Sequence, residues 1–251
     1  MGLRRGIVMG MIMGSWFLGS VPHAEAHLRD YVVTQGYYTT KQGEFEVELF
    51  NDVFFPEANH DETYHSEHQI EVEYGVTNHF QVSYYEIYAW NRTEDWERDA
   101  FKIEAKLRFA EAGQWPVDVA LYTEYKNPNG SRDVRSDEIE NKVIVSKTFG
   151  PWNVAGNVIF GREINTHSHW AFEYTAGVRY AATPRIQMGL EVQQGLGNSD
   201  EFGFSRDHEF LLVPGLYVTP TPHVRILIGP AFGLTRGSDD LQIRSIVGVE
   251  F

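Results

Sequence analysis

The sequence predicts an all-β fold: a transmembrane, antiparallel, up-and-down β-barrel of twelve strands, with ten or fourteen as the alternative counts. Three observations predict it. From Glu44 to Phe251, segments of about ten residues alternate apolar and polar side chains, the period of two that marks a strand with unlike faces. The connections between them alternate strictly, long and polar after odd strands and short after even ones. Beyond residue 26 no stretch reaches the length of an apolar membrane-crossing helix, about 20 residues.

The strands follow in order. "EFEVELFNDVFF" (44–55) sets Phe45, Val47 and Leu49 against Glu44, Glu46 and Glu48, and the polar run "PEANHDETYHS" follows it. "EHQIEVEYGV" sets Ile70, Val72 and Tyr74 against Gln69, Glu71 and Glu73. Only "TN" separates it from "HFQVSYYEIYAWN", a tight hairpin signal. After "RTEDWERD" comes "AFKIEAKLRFA", where Phe101, Ile103, Ala105, Leu107 and Phe109 alternate with Lys102, Glu104, Lys106 and Arg108. Glu86 breaks the rule by falling on the apolar face of the third strand, which calls for a bulge or a shifted register there. "PVDVALYTEYK" and "EIENKVIVSKTF" flank the loop "NPNGSRDVRS". A "GP" turn leads to "WNVAGNVIFG" and the loop "REINTHSH". "WAFEYTAGVRYA" and "RIQMGLEVQQ" are joined by "ATP", and the loop "GLGNSDEFGFSRD" precedes "HEFLLVPGLYV". "TPTP", "HVRILIGPAFGL", "TRGSDD" and the terminal "LQIRSIVGVEF" complete the series.

The first 26 residues stand apart. Arg4 and Arg5 precede an uncharged run from Gly6 to Pro22, and Ala24-Glu25-Ala26 gives a small-x-small site. This is the order of a secretory signal peptide, 1–26. Cysteine is absent, so disulfides, cysteine nucleophiles and thiolate metal sites are excluded. The net charge of −14 gives no reason to expect nucleic acid as a partner.

The chain closes on Phe251, with Val249, Val247 and Ile243 at alternate positions before it and Ser245 as a departure. This end resembles the carboxy-terminal signature of Gram-negative outer-membrane β-barrel proteins. The resemblance implies that Phe251, Val249, Val247 and Ile243 act as the assembly signal read by the barrel-assembly machinery. It further implies that the last strand closes against the first, and that lipid of the bacterial outer membrane surrounds the wall. Short turns would face the periplasm and long loops the exterior, the rule for such barrels. The domain reading is then signal peptide 1–26, periplasmic lead-in or partial plug 27–43, and transmembrane barrel 44–251.

The polar faces turn inward on this reading. Glu46, Glu48, Glu71, Glu73, Glu104, Lys106, Arg108 and Arg244 are the candidate pore-lining residues. Charge is tolerable in a wet lumen but not in lipid. A carboxylate wall predicts passive passage of small polar, preferably cationic solutes. In the competing arrangement, bases of strands four and twelve reach the glutamates and fill the lumen with ion pairs. The alternative function is a non-conducting barrel whose external loops bind a divalent metal or a partner. His60, His65 and His68 on the first loop and His167 and His169 on the fourth are its candidate ligands, imidazoles that suit Zn or Cu. No other cofactor is expected. Catalysis is not predicted: Ser168 and His167 adjoin in "NTHSHW", but no GxSxG elbow occurs, which leaves an outer-membrane hydrolase as the remote alternative. Tyr84, Tyr85, Tyr88, Trp90, Trp152, Trp170, Tyr174 and Tyr180 are candidates for interfacial aromatic girdles.

Overall fold

The computed structural model describes residues 29–56, 65–91, 96–128, 136–164 and 167–251. The predicted signal peptide, 1–26, lies outside the described residues. Twelve antiparallel strands run in chain order: β1 Phe45–Phe55, β2 His65–Thr77, β3 Phe80–Asn91, β4 Glu97–Arg108, β5 Asp118–Pro128, β6 Glu138–Phe149, β7 Trp152–Glu163, β8 Ala171–Ala181, β9 Ile186–Asn198, β10 Phe210–Thr221, β11 Val224–Gly233 and β12 Leu241–Glu250. Each pairs with its sequence neighbours, and β12 pairs with β1, closing the barrel. Strands β2, β4 and β9 run two to four residues beyond the predicted segments, because ladder pairing continues toward the long-loop end.

The closing seam is regular. Val47 faces Val249 and Leu49 faces Val247, while Phe45 and Phe251 exchange backbone hydrogen bonds. Phe251, Val249, Val247 and Ile243 therefore stand on the outer face of the seam strand. That face is apolar all round the wall, with Leu49, Ile70, Ile103, Leu121, Val158, Met188, Leu216 and Ile228 all exposed. A protein in water seldom exposes a continuous apolar surface of this extent; lipid is the solvent it suits. Aromatic pairs ring its short-turn end, among them Phe45 with Tyr74 and Trp152 with Tyr180, at ring separations of 4.6 and 4.7 Å. Tyr85 is not among them: it is buried on the inner face.

Glu86 stays on the outer face. Between β3 and β4 the register skips Asp99, so Arg98 faces Tyr88 while Ala100 faces Ile87. That one-residue bulge turns Arg98 to the outside. Its guanidinium then donates two bonds to the Glu86 carboxylate, at 2.6 and 2.9 Å. The bulge brings Glu86 a partner instead of moving it inward.

Candidate functional site: the inner wall and the segment it holds

Strand alternation carries the polar set inward, and the buried positions confirm the inner face. Glu46, Glu48, Glu71, Glu73, Glu104, Lys106 and Arg108 are all buried. Register puts them in rows: Glu46 opposite Glu73, Glu48 opposite Glu71, and Ser83 of β3 between Glu73 and Glu104. Directly opposed like charges are unfavourable without a cation among them. Lys106 of β4 stands in the same quadrant, bordering one small void with Glu73, while the other strand-borne bases lie elsewhere. Lys102 pairs with Glu124 at 3.4 Å, Arg108 with Glu111 at 3.1 Å, and Arg244 grips Asp52 at 2.6 and 3.0 Å.

A second cation comes from the amino-terminal segment, residues 29–43, which lies inside the barrel at its short-turn end. Arg29 donates to Glu48 at 2.8 Å and lies 3.5 Å from Glu71, with its guanidinium 4.8 Å from the Phe50 ring. The next residue, Asp30, faces the opposite side of the wall. Arg179 of β8 donates to its carboxylate at 2.6 Å, and Arg225 of β11 stands 3.7 Å away. Burial pushes the Asp30 carboxyl upward, but Arg179 and then Arg225 outweigh it and hold the group below the usual carboxylate range. Adjacent opposite charges thus meet an acidic quadrant and a basic one.

Beyond Asp30 the segment has no regular structure, so the wall must satisfy its backbone. The Glu191 carboxylate accepts three successive backbone N–H bonds, from Val32, Val33 and Thr34, at 2.7, 3.0 and 2.7 Å. Tyr217 donates a fourth at 2.8 Å. Asn157 accepts from the Gln35 N–H and donates to the Gln35 carbonyl, at 2.6 and 3.0 Å. Tyr31 donates to Asn153 at 2.6 Å, Thr40 donates to Glu73 at 2.8 Å, and the Tyr37 hydroxyl donates to the Ala110 carbonyl. Tyr31 and Val32 pack with Phe50, Tyr85, Ile87, Val213, Leu227 and Ile246 in an apolar cluster inside the barrel.

Wall glycines make room for this, Gly75 most closely, where a Cβ would stand 1.9 Å from the Lys41 carbonyl oxygen. A Cβ on Gly177 would stand 2.8 Å from the Tyr31 ring, and one on Gly229 would stand 2.9 Å from a Val32 methyl. Isolated strand glycines of this kind mark a close approach.

Above the segment, toward the long loops, the lumen is hollow. A cavity of 630 Å³ is bordered by Glu124, Glu138, Glu140, Glu163, Glu173 and Glu209, with Lys126, Arg162, His169 and His208. It shares Glu140, Ile159, Glu173 and Glu209 with a 320 Å³ cavity that reaches Val32 and Val33. Arg244 borders that lower cavity.

Among the described residues the predicted histidines do not gather at one metal-sized site. His65 and His68 lie in β2 rather than in a loop, three residues apart and so on opposite faces. His65 stacks on Phe54, with ring centroids 4.5 Å apart, while His68 bonds Asn51 and lies against Trp96. His60 falls outside the described residues. On the fourth loop His169 stands 3.2 Å from Asp200, His167 is exposed, and the Ser168 hydroxyl donates to the Glu163 carbonyl. Among the described residues, the grouping compact enough to hold a metal is Glu48, Glu71 and Glu73.

The wall is thus a closed antiparallel barrel with an apolar exterior and a charged, partly hollow interior. Solved structures agree on the fold. The barrel is similar to an outer-membrane channel from Pseudomonas putida F1 at a TM-score of 0.63 and 10% identity, over 86% of this chain and 98% of that one. The NanC porin superposes at 0.56 and the KdgM porin at 0.54, with 12% and 9% identity, each over 82% of this chain and 98% of theirs. No family model matches the sequence, and no curated protein matches it.

Proposed function

We propose that this protein is a bacterial outer-membrane channel for small polar, preferably cationic solutes, closed at rest by its own residues 29–43. The observation that carries this reading is the charged hollow that reaches from the long-loop end down to Val32 and Val33 of the inserted segment. Solute would enter an acidic mouth, and the inserted segment would bar the periplasmic half. Similarity to outer-membrane channels and porins supports the reading at the level of fold. One KdgM porin structure is a complex with oligogalacturonate, a polyanion. The carboxylates of this mouth and wall would repel such a solute, so the preferred charge here is opposite.

The test is single-channel conductance in a planar bilayer under a salt gradient, comparing the mature chain with a form lacking residues 29–43. The shortened form should conduct steadily, with a reversal potential favouring cations, and the mature chain should conduct far less. Glu46, Glu48, Glu71 and Glu73 changed together to Gln in the shortened form should weaken the cation preference. Silence of the shortened form where a known porin conducts would reject the channel and leave the non-conducting barrel. An anion-selective current would reject the proposed selectivity.

A further inference from the structure

The acidic quadrant of Glu46, Glu48, Glu71, Glu73 and Glu104 holds more carboxylates than Arg29 and Lys106 can neutralise. Glu48, Glu71 and Glu73 bring one carboxylate oxygen each to within 4.8 Å of one another. Oxygens that close can all reach one ion of the calcium class, whose Ca–O distances are about 2.3–2.6 Å. A second observation points the same way. Among the described residues, Oε1 of Glu48 and Oε1 of Glu71 have no hydrogen-bond partner, although the residues are 1% and 0% exposed. Oε1 of Glu46 and Oε1 of Glu104, in the same rows, are likewise without one. A buried carboxylate oxygen left unbonded is costly, and a hard cation is a partner that suits those of Glu48 and Glu71. The other oxygens are already used: Arg29 holds Glu48, Thr40 holds Glu73, and Tyr85 holds Glu104. A void of 10 Å³, about the room of one water, adjoins Arg29, Glu73 and Lys106.

We propose that Glu48, Glu71 and Glu73 form a divalent-cation site of the calcium class in the lumen wall, and that Arg29 is its tethered competitor. The guanidinium sits on Glu48 and beside Glu71, so an ion of charge two drawing both carboxylates to itself displaces it. Loss of that contact removes one of the two charged anchors of the inserted segment, since Asp30 holds the other side. The donors are all carboxylate oxygens, which selects hard cations over the Zn or Cu that the histidines suggested. The ion is a ligand of the wall whether or not the barrel conducts, so the site is tested by binding alone.

The measurement is calorimetric titration of CaCl2 into the refolded mature protein in detergent, with correct folding of every variant checked by its β-sheet circular dichroism. Arg29→Gln removes the competitor and should bind one Ca²⁺ at least tenfold more tightly than the wild type. Arg29→Lys, which keeps the charge, should stay near the wild type. Glu48→Gln combined with Glu71→Gln in the Arg29→Gln background should abolish the heat. No saturable heat in Arg29→Gln would overturn the proposal. So would equal affinity in wild type and Arg29→Gln, or binding that survives loss of both glutamates and so belongs to the acidic mouth. If Arg29→Gln does not refold, Asp30→Asn loosens the segment from the basic side without touching the ligands, and it should also raise the Ca²⁺ affinity.

Discussion

Glu191 shows how much a single side chain can hold. Its carboxylate takes backbone N–H bonds from three consecutive residues and a hydroxyl from Tyr217, and it is fully buried. Successive N–H groups converging on an anion form a small nest, favourable because every donor meets a lone pair. Glutamine cannot replace it. One end of the amide would present N–H to backbone N–H, leaving a buried donor unbonded at a cost of about 1–3 kcal/mol. Glu191→Gln should therefore shift the docking of residues 29–43 toward release by roughly one to two orders of magnitude. Amide hydrogen exchange at Val32, Val33 and Thr34 reads this directly. Tyr217→Phe should do less, because the three backbone donors keep their acceptor. Equal protection in Glu191→Gln and wild type would show that the segment is held by its side chains alone.

Strand alternation made the twelve elements legible, because a wall one residue thick gives every side chain one of two solvents. It also made the inward-facing set legible: Glu46, Glu71 and Lys106 are buried where period two placed them. What it could not show was anything depending on a contact between distant residues. "HLRDYVVTQGYYTTKQ" has no period, since its bonds go out to the wall, Asp30 to Arg179 lying 149 residues on. Its sequence traces were indirect: adjacent Arg29 and Asp30, and the strand glycines Gly177 and Gly229. Glu86 marks the other limit. The misfit was visible, but its resolution by a bulge at Asp99 depends on Arg98 finding the outer face. Two element-scale predictions follow from these contacts. Gly177→Val should leave the barrel intact and expel Tyr31, so that protease cuts residues 29–43 in the variant but not in the wild type. Arg98→Ala should leave Glu86 facing lipid without its cation. That substitution should lower the unfolding temperature in lipid more than Asp99→Ala, which keeps both the bulge and the pair. Equal losses from the two changes would mean that the ion pair does not stabilise the wall.

Across the whole molecule, the inserted segment joins two halves of opposite charge. The acidic quadrant of β1, β2 and β4 takes Arg29, while Arg179 of β8 and Arg225 of β11 take Asp30, with Lys106 of β4 adding to the positive field around it. This arrangement fixes the direction of the pH response. The Asp30 carboxyl is held below its ordinary value when docked, and released it returns to about 3.9. A lowered value in the docked state means that docking is supported at every pH above about 4. The support is lost as pH falls through the lower docked value. Open probability should therefore stay low from pH 7 to about 5 and rise only below about 4. Asp30→Asn removes the charge at all pH values and leaves Arg179 and Arg225 facing each other without an anion. It should open the channel at neutral pH and flatten the acid response. The measurement is open probability between pH 7 and pH 3 for both forms. A wild type already opening between pH 6 and pH 5, where Asp30 is still ionised, would place the latch on another group. A variant that stays shut at neutral pH would show that the acidic quadrant and the Glu191 nest suffice without the basic anchor.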